Sequence, residues 1–286
     1  MKIIVTGSTG LLGKYFLKQA KSCCYEVFGA GGRDGVLSSK QFFLDYANDI
    51  EPDWIVHCAA MTNVDECERN PQLAENVNVT LTKMVCEVAV EAKARVLYIS
   101  TDSVFDNHKM YGSNEADIVS PLNIYAKSKL AGETVVMAHN FWNLVFRTNF
   151  FGVGGKSYSD WIVNSIKTEG IVRAFNDVWW TPIYAGTLAE YGVQAMDRGM
   201  TGLYHVAGYD GIPKYEFAKD LAVALGYDEN CVFPISVDDV PLFAKRPKDT
   251  MLDTSKFEHD FDTLLPYVSQ SIDAYAEEVK NGNPNR

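Results

Sequence analysis

The first thirteen residues constrain this chain more than any other stretch. Met1-Lys-Ile-Ile-Val-Thr-Gly-Ser-Thr-Gly-Leu-Leu-Gly13 carries an apolar strand into three glycines and then straight into an amphipathic helical pattern. Each glycine answers a separate need: Gly7 makes the tight turn, Gly10 lets the backbone approach a pyrophosphate, and Gly13 lets helix and strand pack closely. The helix that follows presents free N–H groups to phosphate oxygens. Gly7, Thr9, Gly10, Leu11, Leu12 and Gly13 are therefore the expected dinucleotide cradle. A glycine triplet alone can be only a turn; the legible strand before it and helix after it favour the cradle.

Short β-branched and aromatic runs at Lys2–Thr6, Tyr25–Ala30, Trp54–Ala59, Arg95–Ser100 and Trp142–Arg147 alternate with helical patterns after Gly10, near Ala74–Ala92 and over Asn123–His139. Such alternation predicts an α/β fold with a doubly wound parallel sheet of the Rossmann type. The expected division is a dinucleotide-binding domain over 1–150 and, over 151–286, mainly a smaller substrate-binding lobe, broken by Gly and Pro, with Gly202–Val206 returning to the main sheet as a strand. With 47% hydrophobic residues in 286, the chain has ample material for a core. The formal net charge of -11 argues against a nucleic-acid surface. No apolar run approaches the ~20 residues of a membrane span, and a first strand starting at residue 2 leaves no room for a signal peptide, so a cytoplasmic location is expected. Six cysteines without a CxxC pair or ligand spacing predict reduced thiols and no metal centre.

Chemistry is concentrated in Tyr125-Ala-Lys-Ser-Lys129, where Tyr125 and Lys129 stand i, i+4 on one helix face. A phenol titrates near ~10, and a neighbouring ammonium favours the phenolate and lowers that value. An isolated YxxxK is more often a plain surface pair. Here it follows a dinucleotide-binding unit, and Ser100-Thr101-Asp102 ends a predicted strand, where open α/β sheets place their sites. Gly29-Ala-Gly-Gly-Arg33-Asp34 carries no acid at the end of the second strand, and Arg33 can pair with a 2′-phosphate, which favours NADPH, with NADH as the alternative; the plain reading of Arg33 and Asp34 is a solvated turn.

The GxxGxxG spacing and several further stretches resemble the extended short-chain dehydrogenase/reductases, and within them the dTDP-4-dehydrorhamnose reductase family. Ser100-Thr-Asp-Ser-Val-Phe-Asp106 resembles STDYVFDG, Pro121-Leu-Asn-Ile-Tyr-Ala-Lys-Ser-Lys-Leu-Ala-Gly-Glu133 resembles PxNxYGxSKLxGE, and His57-Cys-Ala-Ala-Met-Thr-Asn-Val-Asp65 resembles NCAAYTxVD. Arg147-Thr148, Gly202-Leu-Tyr-His205, Tyr215-Glu-Phe-Ala218 and Lys245-Arg-Pro247 extend the likeness over nearly the whole chain. The resemblance implies that Thr101 holds a substrate carbonyl, that Tyr125 gives the proton, and that Lys129 tunes it and holds the nicotinamide ribose. It implies cofactor contacts at Cys58, Ala59 and Ala60 and an adenine contact at Asp45, which as a residue ahead of a helix reads equally as a cap. Substrate contacts follow at Thr101, Asp102, Ser103, Phe150, Trp180 and Arg246.

Departures from the family pattern bear on the substrate. Ser103 stands where tyrosine is usual and Phe150 where tryptophan is usual, so hydrogen bonds that would orient a hexose are missing. Asp102 is followed by Ser103 and not by the second acid of the related 4,6-dehydratases, which argues against elimination. Trp179 and Trp180 point to opposite sides of an extended segment, so at most one faces a ligand and the other is expected in the core. Arg147 reads as a structural ion-pair partner, and Arg246 as the bidentate diphosphate ligand. His205 reads as a core histidine, and Asp65 and Glu66 form no defensible paired-carboxylate site. The expected activity is NAD(P)H-dependent reduction of the 4-keto group of a nucleotide-activated deoxysugar. Two alternatives stand beside it: a sugar-nucleotide epimerase with tightly bound NAD, and a non-catalytic NADP-binding protein similar to the regulatory subunit of methionine adenosyltransferase. Homodimerisation is expected from the family's habit.

Overall fold

The computed structural model describes residues 1–31, 35–106, 112–154 and 157–282. Its strands in chain order are β1 (Lys2–Thr6), β2 (Glu26–Ala30), β3 (Trp54–His57), β4 (Arg95–Ile99), β5 (Leu144–Arg147), β6 (Phe150–Phe151), β7 (Val172–Phe175), β8 (Trp179–Trp180), β9 (Ile183–Tyr184), β10 (Gly202–His205), β11 (Ile212–Pro213) and β12 (Val232–Ile235). The helices are α1 (Leu11–Ser22), α2 (Lys40–Ile50), α3 (Val64–Arg69), α4 (Pro71–Glu75), α5 (Leu81–Glu91), α6 (Ile124–His139), α7 (Tyr158–Glu169), α8 (Ala185–Asp197), α9 (Lys214–Ala224), α10 (Ser255–Phe261) and α11 (Val268–Asn281).

Strands that are apolar at nearly every position must be covered on both faces, which is the condition of a parallel sheet. β1, β3, β4 and β5 meet it, and they lie in a six-stranded parallel sheet of order β10-β5-β4-β3-β1-β2. Side chains alternate between the faces. Ile3, Val5, Leu97 and Phe146 meet Phe16 of α1, Leu188 of α8 and Phe257 of α10, whereas Ile4, Ile55, Val96 and Val145 meet Phe43 of α2, Val85 of α5 and Val136 of α6. The chain leaves β1 toward β2 and returns to β3 on the other side of β1, so the strand order reverses there. The connections diverge at that point and open a crevice at the carboxyl ends of the strands.

A second core unites Phe151, Ile162, Phe217, Ile272 and Tyr275 under the parallel pair β7–β12, with α7, α9 and α11 around it. Hydrogen bonds around Glu278 help fasten this lobe to the sheet. Glu278 of α11 accepts hydrogen bonds from Tyr15 of α1 and Tyr184 of β9, and the Tyr15 hydroxyl in turn accepts from the Val153 N–H at 3.0 Å. Between α4 and α5 the chain forms a π-helical turn over Asn76–Thr80. Turns of this kind recur at functional sites. Here it turns Asn78 inward, where it accepts from the Met61 N–H (2.8 Å) and donates to Ser128 Oγ on α6 (2.9 Å).

Candidate active site

The crevice has two connected parts, of about 440 Å³ and about 480 Å³, which share Gly7, Gly10, Cys58 and Ala60. Geometry explains the glycines. Gly7 adopts φ +65°, and a Cβ there would lie 2.7 Å from the Ala59 nitrogen; one on Gly13 would lie 2.3 Å from the Gly7 carbonyl oxygen. The turn therefore sits flush against the end of β3, and α1 packs flush against the turn. The smaller part continues past Thr9 and Ala59 to Leu37, Val77 and Leu81, an apolar slot suited to a flat base. The larger part passes Leu11 and Leu12 to the end of β4. An elongated crevice with a backbone cradle at its centre fits a dinucleotide. β3 ends at His57, and Cys58 to Ala60, expected to extend that strand, leave the ladder and become crevice wall. Arg33 lies outside the described residues. Asp45 does not stand ahead of a helix: Ser39 caps α2 by accepting from the Phe42 N–H, and Asp45 is exposed within the helix, bound to Gln41 Nε2 at 2.8 Å and away from both parts of the crevice.

Thr101 at the end of β4 and Tyr125 in the first turn of α6 meet on the wall of the larger part. Asn123 positions that turn by accepting from the Ala126 N–H and donating to the Lys245 carbonyl, both at 2.9 Å. Burial pushes the Tyr125 phenol up to about 12, and the adjacent Thr101 hydroxyl pulls it the other way. One turn further along, Lys129 is buried with its ammonium 4.1 Å from the centroid of the Tyr98 ring. Burial lowers it to about 7, against the opposing pull of the Glu133 carboxylate. The expected lowering of the phenol by Lys129 is thus not what sets Tyr125 here; burial dominates both groups.

Behind this pair stands a buried polar layer. Glu133, again one turn along α6, takes Arg147 Nε at 3.0 Å and Nη2 at 2.8 Å, and accepts from the hydroxyl of Ser100, the residue before Thr101. Arg147 is the structural ion-pair partner that the sequence suggests. His57 receives the Thr6 hydroxyl at Nδ1 (2.6 Å) and gives its Nε2–H to Thr82 Oγ1 (3.0 Å), whose own proton goes to the Asn78 carbonyl. Burial lowers the imidazole to about 3, so it stays neutral near Lys129. Burial also raises the Asp102 carboxyl, but four donors fill its oxygens: Thr101 and Ser103 on Oδ1, Asn149 and Thr250 on Oδ2, at 2.6–3.2 Å.

All six residues expected at the substrate line the larger part: Thr101, Asp102, Ser103, Phe150, Trp180 and Arg246. Trp180 is buried edge-on against Tyr158 and Phe217, while Trp179 is 42% exposed and not in the core. Arg246 is less free than a diphosphate ligand would be, because Nη2 pairs with Asp65 at 2.9 Å and Nη1 donates to the Ala244 carbonyl at 2.8 Å. Asp65 therefore has a role that its sequence context did not reveal. Asn149, Thr250 and Lys214 are further wall residues that no motif marked; Asn149 follows Thr148 just beyond β5, whereas Thr250 and Lys214 come from the second lobe.

Comparison with known proteins places this geometry. The chain matches the RmlD substrate binding domain over residues 1–281. It is 31% identical to the dTDP-4-dehydrorhamnose reductase of Aggregatibacter actinomycetemcomitans, with 96% of this chain and 99% of that protein covered. It is 30% identical to methionine adenosyltransferase 2 subunit beta of Rattus norvegicus, over 90% of this chain and 81% of that one. The solved structure of dTDP-4-dehydrorhamnose reductase from Bacillus anthracis in complex with NADP superposes with a TM-score of 0.92 at 25% identity, covering 97% of this chain and 99% of that one. Among the described residues no helix is long and apolar enough to cross a membrane. By the span of that match and by its fold, the chain belongs to the RmlD substrate binding domain family.

Proposed function

We propose that this protein reduces the 4-keto group of a nucleotide-activated deoxysugar with NADPH, with Thr101, Tyr125 and Lys129 at the reacting centre. The observation that carries the reading is the meeting of Tyr125 and Thr101 on one wall of a cavity that is continuous with the glycine cradle. When bound, NADPH supplies the hydride that the ketone carbon accepts. The chain's own residues handle the oxygen. A phenol held at about 12 is fully protonated at neutral pH, which is the form that must give a proton to a developing alkoxide. The Thr101 hydroxyl carries a single proton, which goes to Asp102 Oδ1 at 3.1 Å and must turn to the substrate oxygen to stabilise it. Lys129, partly protonated at neutral pH with its value lowered to about 7, stands one helix turn from Tyr125, where it can take a ribose hydroxyl and help restore the phenolic proton. The neutral His57 beneath it adds no competing charge.

NADPH oxidation followed by absorbance, with enzymatically generated dTDP-4-keto-6-deoxy sugars, tests the proposal. Tyr125→Phe should lower turnover by about 10²–10⁴-fold, the usual worth of a positioned proton donor, while NADPH binding persists. The relation to methionine adenosyltransferase 2 subunit beta supports a second reading, a non-catalytic partner of another enzyme. Saturable NADPH binding without turnover in either protein would sink the reductase reading in its favour.

A further inference from the structure

Lys214 opens α9 directly behind Pro213, and its side chain reaches the wall of the larger cavity beside Asp102, Trp180 and Arg246. Its ammonium lies 5.0 Å from the ring centroids of both Tyr158 and Trp180. Aromatic faces attract a cation but provide no lone pairs for its three N–H donors. No hydrogen-bond or ion-pair partner for that ammonium exists among the described residues. The two charged groups that act on it electrostatically are committed elsewhere. Asp102 attracts it electrostatically, yet both carboxylate oxygens already accept two hydrogen bonds each. Arg246 repels it and is itself held by Asp65. Burial, and to a lesser degree Arg246, lowers the proton affinity of Lys214, against the opposing pull of Asp102.

We propose that Lys214 is a specificity-determining residue of this cavity, donating to an anionic oxygen of the bound sugar nucleotide, either of its diphosphate or of a carboxylate on the sugar. The inference rests on the keto-sugar reading for the type of ligand but not for turnover. Of the two cations among the described residues lining this cavity, Arg246 is paired with Asp65 and Lys214 has no such partner, so an anionic ligand oxygen gains more from Lys214. The aromatic walls exclude water on two sides and strengthen that contact. A ligand lacking an anionic group would leave the ammonium as it is now, which makes the residue a filter as well as a handle.

Titration calorimetry on the NADP-saturated protein provides the test, with thymidine and uridine, their 5′-diphosphates, and the corresponding nucleotide sugars with and without a carboxylate on the hexose. Lys214→Met should weaken the diphosphates about 10- to 100-fold, as loss of a charge-assisted hydrogen bond does, and leave the nucleosides unchanged. Lys214→Arg should stay within a few-fold of wild type. Weakening confined to the carboxylated sugars would assign the contact to the sugar and not the diphosphate, and would equally support the proposal. The proposal is overturned if Lys214→Met binds every anionic ligand within twofold of wild type, or if the wild-type protein binds neither the diphosphates nor the carboxylated nucleotide sugars tighter than the nucleosides. An unchanged urea midpoint and NADP affinity exclude misfolding; if Lys214→Met does not fold, Lys214→Gln is read in its place by the same criteria. A protein that needs Lys214 for binding but turns over no keto-sugar would retain this inference while losing the reductase reading.

Discussion

Removing the Arg147 guanidinium is the sharpest perturbation of the layer beneath the site. In Arg147→Met the Glu133 carboxylate, whose side chain is 6% exposed, would keep only the Ser100 hydroxyl of its present partners. Breaking a buried pair from one side typically costs about 3–5 kcal/mol, because a desolvated charge is left uncompensated. Glu133→Met should cost a similar amount, since the orphaned guanidinium retains only His205 at 3.5 Å and the Phe105 ring. Replacing both residues is a different matter. Two methionines remove both charges and fill comparable space, and such replacements range from neutral to about 4 kcal/mol stabilising. The double variant should therefore be more stable than either single one, with a coupling of at least ~3 kcal/mol in the double-mutant cycle. Urea unfolding of the four proteins, followed by far-ultraviolet circular dichroism and by tryptophan fluorescence, measures it. A loss under about 1 kcal/mol for Arg147→Met, or strict additivity, would refute the reasoning, because it would mean that both charges are solvated in the folded state.

Gly132→Ala should act on the reacting centre from behind: its Cβ would stand 2.2 Å from Tyr98 Oη and 2.9 Å from the Asn78 carbonyl, so α6 must lift from β4. The expected result is a loss of about 1–3 kcal/mol together with lower kcat, read by urea unfolding and NADPH oxidation; unchanged values for both would contradict the packing. Lys129→Met should stabilise the cofactor-free protein while abolishing activity, and the gain should depend on pH. The folded-state value of about 7 lies below the unfolded value near ~10.4, so the penalty for the buried ammonium is fully present below pH 7 and disappears as pH rises toward 10. Unfolding midpoints at pH 6 and pH 9.5 should show the variant's advantage shrinking with pH, and an advantage that grew with pH would have the wrong sign.

The fold was legible because its signals are local. The strand–glycine–helix start and the period-two and helical alternation depend on neighbours within a few residues, and the six-stranded parallel sheet follows from them. Tyr125 and Lys129 were legible for the same reason, since i, i+4 spacing is a property of one helix. What stayed hidden is tertiary. Asp65 and Arg246 are 181 residues apart, and Asp102 and Thr250 are 148 apart, with no composition cue linking them. Lys214 reads as an ordinary helix-opening lysine until Tyr158 and Trp180 are packed around it. Asp45 was misplaced by the start of a helix: Ser39, not a residue near 45, carries the cap. The phenol's behaviour was misread because sequence proximity to a lysine says nothing of how deeply both groups are buried.

The return of β10 to the sheet has a consequence for how this protein must be made. Until residues 202–205 emerge from the ribosome, β5 is an open edge carrying Leu-Val-Phe-Arg, and the sheet face that awaits Leu188, Ala189 and Phe257 is bare. An uncovered apolar edge recruits other chains. A nascent chain halted near residue 150 would therefore be sticky despite holding the whole glycine cradle. Expression of that half alone should give aggregates, and the order of synthesis makes the second half of the polypeptide a chaperone for the first.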